Sequence, residues 1–352
     1  MLKSIFQTSQ DELLQEIRIL DEEIRQLARM FDSQIQRQIL QDVSRLVDTS
    51  MIFAQALKET EYLNFVNWLS AVPYTQHHKR HSDNRLPGST QWIFEQPEYL
   101  DWKSACSSSI ILLQGIPGSG KTHVVSSVID AFLDEKRQNT LAPPLLYFYC
   151  GDSKVGGGKV GPEEVMRCLT RQLAVIDKAK REIHEQILLD YERRAAQARL
   201  DGFEVPRLTC RECADLMLEV LGANPAVIVI DGVDEVEEQY PHEVLEQGQH
   251  GLLQSLMRLK EHSDSVLKIF LSSRESGDIS ARLKGSHKLR VRESTVQDDM
   301  KLFVEACVSN AIRSGKLLNG EHSGLQHDLE TFLLDRAGEM YACFLRSILF
   351  YC

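Results

Sequence analysis

The octapeptide Gly115-Ile116-Pro117-Gly118-Ser119-Gly120-Lys121-Thr122 constrains this chain more than any other stretch, because few folds can hold it. It matches G-x-x-x-x-G-K-[ST], a loop that belongs between a strand and a helix. Its neighbours comply: the apolar run Ile110–Leu113 precedes it, and a helix-like stretch from His123 to Phe132 follows. The glycines let the backbone curl until successive N–H groups point at phosphate oxygens, and the helix N-terminus adds its dipole. In such a loop Lys121 reaches the β- and γ-phosphates of a nucleotide, and the Thr122 hydroxyl ligates Mg²⁺. The residues expected to hold the nucleotide are Gly115, Ile116, Pro117, Gly118, Ser119, Gly120, Lys121, Thr122 and His123. An ordinary glycine turn is the competing reading.

A second half for that site lies about 110 residues downstream. Ala226-Val227-Ile228-Val229-Ile230-Asp231 is a fully apolar run ending in a carboxylate, followed by Gly232-Val233-Asp234-Glu235. A buried central strand of a parallel sheet reads this way, and sites form at the C-terminal ends of such strands. Asp231 is expected to hold Mg²⁺ with Thr122, through water. Asp234 and Glu235 are the candidates for orienting or deprotonating an attacking water, with Glu235 preferred. The next apolar run, Lys268–Ser272, delivers Ser273 and Arg274 to the same edge, where an arginine senses γ-phosphate charge. The catalytic set is therefore Lys121, Asp234, Glu235 and Arg274. No Asn-Lys-x-Asp guanine-reading motif is present.

Composition narrows the partners. The chain has 352 residues and a net charge of -11, which argues against a general binder of nucleic acid or of anionic membranes. A nucleotide site must then be a local positive pocket. Met1–Gln7 lacks a signal-peptide core, and no apolar run approaches the roughly 20 residues that span a bilayer. Met340–Cys352 is too short and is interrupted by Arg346. The eight cysteines are scattered, some inside apolar segments, as expected of reduced thiols in the cytoplasm. Cys210 and Cys213 form the one CxxC; without a second pair they read as buried thiols at a helix start rather than a zinc site.

Along the chain, residues 1–70 read as a helical, coiled-coil module. One helix is expected over residues 9–47, opened by a Ser9–Glu12 capping box and carrying the seam Leu13, Ile17, Leu20, Ile24, Leu27 and Phe31. A second helix is expected over Met51–Trp68. The seam serves either self-association or a bundle folded back on its own chain. Residues 71–107 read as linker and pre-loop segment, with the His77-His78-Lys79-Arg80-His81 patch a solvated connector and a short helix at Glu95–Lys103. Residues 108–292 read as the α/β core. Its expected strands are Ile110–Leu113, Leu145–Cys150, Ala226–Asp231, Leu267–Ser272 and Lys288–Val291, and its expected helices include Pro162–Ile176 and a solvated one at Lys178–Arg199. Residues 293–352 carry only helical patterning and read as a partial helical lid.

The Gly-Ile-Pro-Gly-Ser-Gly-Lys-Thr loop, the Ile-Asp-Gly-Val-Asp-Glu strand end and the Ser-Ser-Arg after the next strand together resemble the NACHT class of STAND NTPases. More narrowly they resemble the fungal nephrocystin-like NTPase proteins, as do Trp68–Tyr74 and Arg85–Trp92 upstream of the loop. The resemblance covers about residues 65–345. It implies a P-loop NTPase parallel sheet of order 5-1-4-3-2, Mg²⁺ with ATP or GTP, slow hydrolysis, and a nucleotide-driven switch in signalling or heterokaryon-type, innate-immunity-like responses. Lys121, Thr122, Asp231, Glu235 and Arg274 inherit the corresponding roles, and Gly88–Trp92 would line the adenine side. Members carry a helical and winged-helix lid and then sensor repeats. Here Val296–Met300 resembles the start of the lid and Gly338–Tyr341 a later piece, whereas Ala342–Cys352 departs from the pattern and no repeat follows. A partial C-terminal helical lid, as in a truncated member, is the expectation.

The expected function is a STAND-type switch that binds and slowly hydrolyses nucleotide. Expected partners are the nucleotide, a second copy through the N-terminal helices, and other proteins, with neither nucleic acid nor membrane. The alternative is a non-catalytic helical scaffold with a nucleotide-stabilised core, and a third reading is a small-molecule kinase.

Overall fold

The structure, a computed structural model, describes residues 5–28, 33–152, 154–155, 158–177, 180–237, 251–315 and 325–337. The chain divides into two compact units. One comprises Leu69–Val175 with Arg207–Cys352, the other Met1–Trp68 with Ile176–Pro206.

The larger unit is built on one parallel sheet of β1 (Ser109–Gln114), β2 (Leu145–Tyr149), β3 (Ala226–Asp231), β4 (Leu267–Ser273) and β5 (His287–Arg290). Its order is β2-β3-β4-β1-β5, which read from the other edge is the expected 5-1-4-3-2. β3 and β4 are buried at every position, as strands covered on both faces must be. The register aligns the strand ends: Gln114 pairs with Ser273 on one side and with Arg290 on the other, and Tyr149 pairs with Asp231. Five chain segments therefore leave the sheet together.

Helix α5 (Lys121–Gln138) follows β1 and outruns the expected His123–Phe132 at both ends. Its Val125, Val128 and Ile129 are buried in one cluster with Ile111, Leu113, Val229 and Phe270. Each such side chain contributes about 1.5–3 kcal/mol on burial. On α4 (Pro97–Ser104), Trp102 is fully buried and stands edge-on to Phe132 and Phe270, at 6.2 and 5.8 Å between centroids. The proline starts that helix where its missing N–H costs nothing.

The histidine patch is not a solvated connector. It forms helix α3 (Tyr74–Asp83), which turns His78 inward and leaves Lys79 and Arg80 exposed. His78 is buried, with Nδ1 2.9 Å from Tyr149 Oη and Nε2 3.0 Å from Asp130 Oδ1. Ser82 and Arg85 donate to Asp130 Oδ2 at 2.9 and 2.7 Å. Burial alone would push the Asp130 carboxyl up, but the bonds from His78, Arg85 and Ser82 hold it down at about 2. A helix of this composition gains its stability from partners far away in sequence.

Helices α6 (Pro162–Ala174), α8 (Cys210–Leu221) and α10 (Leu252–His262) also belong to the core. Thr209 and Glu212 form a reciprocal capping box at the start of α8. Cys210 and Cys213 are free and buried there; burial pushes both thiols up, Cys213 to about 12. On α6 the buried Glu164 carboxylate accepts from Ser70 Oγ at 2.6 Å and from Arg207 at 3.1 Å, next to the two points where the chain enters this unit. Helices α12 (Glu293–Arg313) and α13 (Leu325–Ala337) pack through Val304, Val308, Ile312 and Leu333.

The smaller unit contains α1 (Ile5–Ala28), α2 (Ser33–Leu69, whose last residue belongs to the other unit) and α7 (Glu185–Asp201). The division of one helix over residues 9–47 and another from Met51 is overturned, since α2 runs unbroken through that junction. No glycine or proline interrupts residues 47–51, and the Thr49 hydroxyl bonds back to Arg45 O at 2.7 Å. Ser9 lies inside α1 rather than at its start; the side chains of Ser9 and Glu12, like Phe31 and Gly338–Tyr341, lie outside the described residues. Of the seam, Ile17 and Ile24 are half-buried, while Leu13, Leu20 and Leu27 are exposed.

Residues 176–206, assigned above to the core, instead join this unit. Tyr191 meets Phe65 edge-on at 5.4 Å and lies tilted against Trp68 at 5.0 Å, and Trp68 Nε1 donates to Pro206 O at 3.0 Å. The helix expected over Lys178–Arg199 starts only at Glu185, after a two-stranded ribbon, and it buries Ile187, Ala195 and Ala198. Among the described residues no helix is long and apolar enough to cross a membrane.

Candidate functional site

Where β1 ends, the backbone turns so tightly that a Cβ on Gly115 would lie 2.7 Å from Ser119 Oγ and 3.1 Å from Val291 Cβ. Gly120 caps the next helix at φ +83°, a left-handed conformation that favours glycine. The first N–H groups of α5 lack intrahelical acceptors, as at any helix start, and carry the positive end of the dipole. Lys121 Nζ donates to Gly115 O and Ile116 O, both at 2.8 Å. Burial pushes its pKa down, against the pull of Asp231 and Asp234.

Asp231 stands at the end of β3 as the register requires. Its Oδ2 accepts from Thr122 Oγ1 at 2.8 Å and its Oδ1 from Ser272 Oγ, and the Gly232 N–H donates to that same Ser272 hydroxyl at 2.9 Å. Burial pushes the Asp231 carboxyl up, while Ser272 and Thr122 favour its charged form. Thr122 and Asp231 offer only oxygen donors, which suits a hard dication such as Mg²⁺.

Past the strand, α9 (Val233–Glu237) carries Asp234 and Glu235 in different settings. Asp234 is buried and accepts the Arg274 backbone N–H at Oδ1, 3.0 Å away, with Oδ2 3.3 Å from Arg274 Nε. It holds the end of β4 in place, and with it the half-exposed Arg274 guanidinium. Glu235 is half-buried, and its carboxylate lies over the turn after β2, where a Cβ on Gly151 would come within 3.0 Å of Oε1.

Between loop and strand ends lies a cleft of about 310 Å³, bordered by Lys121, Thr122, Asp231, Glu235, Ser272 and Arg274. Of the residues singled out from sequence, Pro117, Gly118, Gly120, His123 and Asp234 also face it. Gly115 and Ile116 instead support Lys121 from behind, and Ser119 faces an adjoining pocket. Ser273 is turned away, donating to Arg274 O at 2.7 Å, so its neighbour Ser272 is the serine of the site.

The adjoining pocket shares Gly120, His123 and Phe303 with the cleft, and Thr90, Trp92 and Asp299 help to close it. Thr90 sits at φ +67°, unusual for a residue other than glycine, and its N–H donates to Asp299 Oδ2 at 2.8 Å. Thr90 and Trp92, from the segment that the resemblance puts on the adenine side, border this pocket together with Asp299 and Phe303 of α12. Asp299 lies in the stretch Val296–Met300 that resembles the start of a lid, and nothing in that resemblance pairs it with Thr90.

A sequence model of the family described as "Nephrocystin 3, N-terminal" matches residues 88–274. The vegetative incompatibility protein HET-E-1 of Podospora anserina is 23% identical over 231 residues, which make up 64% of this chain and 15% of that protein. The chain thus spans a small part of the relative's length. Among solved structures, the Aeropyrum pernix ORC1 protein in complex with DNA aligns at TM-score 0.37 and 16% identity, covering 74% of this chain and 64% of that one. Drosophila ORC bound to DNA aligns at TM-score 0.35 and 14% identity, covering 81% and 58%. The family match reaches from just ahead of Thr90 to Arg274, and so takes in the loop, the β3 end and the β4 end whose geometry is given above: the chain belongs to the nephrocystin 3 N-terminal family, on a P-loop NTPase α/β fold.

Proposed function

We propose that the chain is a STAND-type nucleotide switch that binds Mg²⁺ with ATP or GTP and hydrolyses it slowly. The observation that carries this reading is the convergence of Thr122 and Ser272 on Asp231, in one cleft with Lys121 and with an Arg274 fixed by Asp234. Lys121 would leave the loop carbonyls for the β- and γ-phosphates, and Thr122 and Asp231 would hold the Mg²⁺, which neutralises phosphate charge. Arg274, kept in the cleft by Asp234, would face the γ-phosphate. Glu235 would accept the proton of an attacking water. Such catalysis is mostly positioning and charge neutralisation, so binding should survive changes that slow turnover.

Titration of the full chain with fluorescent nucleotide, with Mg²⁺ and with chelator, tests the reading. Equal affinity of wild type and Lys121→Ala would sink it. Steady-state phosphate release then separates enzyme from scaffold: turnover lost in Glu235→Gln supports hydrolysis, and none in either protein supports the scaffold.

The smaller unit supports the partner side of the proposal. Ile39, Leu46 and Phe53 recur every seven residues on α2, and all three are exposed. We infer self-association through these helices, in a cytoplasmic setting, with further protein partners.

A further inference from the structure

We propose that Gly151, in the turn after β2, is a positioning residue for hydrolysis, because its bare backbone seats the Glu235 carboxylate at the border of the cleft. This rests on the general-base role proposed for Glu235 and names what holds that group in place. The Glu235 backbone N–H donates to Gly232 O at 3.0 Å, which fixes its main chain to the end of β3. Its side chain then reaches across to the neighbouring strand end. A Cβ on Gly151 would lie 3.0 Å from Oε1, 3.3 Å from Oε2 and 3.4 Å from Cδ, so the whole carboxyl group rests on this one residue. A Cβ on Gly232 would stay 3.6 Å from Oε1, an ordinary contact. Gly151 is thus the tighter of the two limits on where the carboxylate can lie.

The turn itself is fastened on both sides of Gly151. Before it, the buried Cys150 donates its N–H to Asp231 O at 3.0 Å and so continues the pairing of β2 with β3. After it, Asp152 pairs with Arg80 and His81 of α3, and the His81 ring stacks on Tyr149 at 4.7 Å. The histidine patch therefore holds down the turn on which Glu235 rests. An alanine side chain at position 151 would meet anchored backbone below and the far end of a flexible side chain above. The carboxylate is what yields, by a few tenths of an ångström. A general base must stay within about 2.6–3.2 Å of the group it deprotonates, and small misplacements cost large factors in rate. Gly151 does not have a positive φ, so its backbone accepts alanine and the change acts on Glu235.

Phosphate release from ATP and from GTP in Mg²⁺, measured on the full chain in wild type, Gly151→Ala, Glu235→Asp and the double variant, tests this. Single-turnover mixtures with excess protein keep slow variants measurable. Gly151→Ala should lower kcat about tenfold, with KM and mant-nucleotide affinity within about twofold of wild type and the urea midpoint unmoved. Aspartate is one methylene shorter and draws its carboxylate away from Gly151. Adding Gly151→Ala to Glu235→Asp should therefore lower the rate by less than about twofold more. An unchanged kcat in Gly151→Ala, a shifted urea midpoint, an affinity loss equal to the rate loss, or the full tenfold loss repeated beside Glu235→Asp would each overturn the assignment and leave the hydrolytic reading standing. Absence of turnover in wild type, or turnover retained in Glu235→Gln, would remove that reading and this assignment with it.

Discussion

The two units of this chain use apolar residues in opposite ways. In the larger one, Ile111, Leu113, Val229 and Phe270 are fully buried in a sheet that helices close off. In the smaller one, Leu46, Ile52 and Phe53 are 67%, 69% and 66% exposed along α2. Isolated exposed apolar residues mean little, but a seven-residue recurrence makes a stripe. One unit completes its own burial and adds a cleft with polar groups. The other leaves burial unfinished. Under the function proposed above, binding of a small ligand and self-association fall to separate units.

The comparison breaks if changes in one unit fail to stay there, and the largest expected effect is in the cleft. Glu235→Gln should lower steady-state phosphate release by about 10²–10³-fold, with nucleotide affinity nearly unchanged. Lys121→Ala should weaken nucleotide binding by about 10²-fold in a fluorescence titration and leave the light-scattering mass alone. Asp130→Ala should cost about 2 kcal/mol in urea unfolding, since it strands His78, Ser82 and Arg85. Its native pKa of about 2 lies below the unfolded value of about 4. The contribution is therefore complete above pH ~4 and is lost as pH falls through ~2, so the gap between wild type and Asp130→Ala should close over that window. The smallest effect on the fold belongs to Phe53→Glu with Leu46→Glu. It should change stability by less than about 0.5 kcal/mol per site and leave nucleotide affinity alone, while reducing the light-scattering mass toward that of one chain.

Legibility in the sequence followed the same division of labour. β3 was readable because a strand buried on both faces is an unbroken apolar run, and Gly115–Thr122 because phosphate binding demands residues in a fixed local order. Helix α3 was not readable, since its stability comes from Asp130 and Tyr149, more than 45 residues away. Ser272 was passed over for Ser273 because only the pairing of β3 with β4 shows which hydroxyl meets Asp231. The contact of Asp299 with Thr90 was hidden for a similar reason: Val296–Met300 resembles the start of a lid, but that resemblance does not name a partner 209 positions away. Residues 176–206 carry helical spacing, but spacing does not name the surface that a helix will cover.

The bond from Trp68 Nε1 to Pro206 O joins residues 138 positions apart within the smaller unit. As the chain emerges from a ribosome, α2 must wait for β1, α5, β2 and α6 before its partner α7 exists. Non-local closure of this kind is slow and exposes apolar surface in the interval. Helix α2, made before the core strands, is thus among the last elements to find its packing, and its stripe at Ile39, Leu46 and Phe53 is on view to chaperones in the interval.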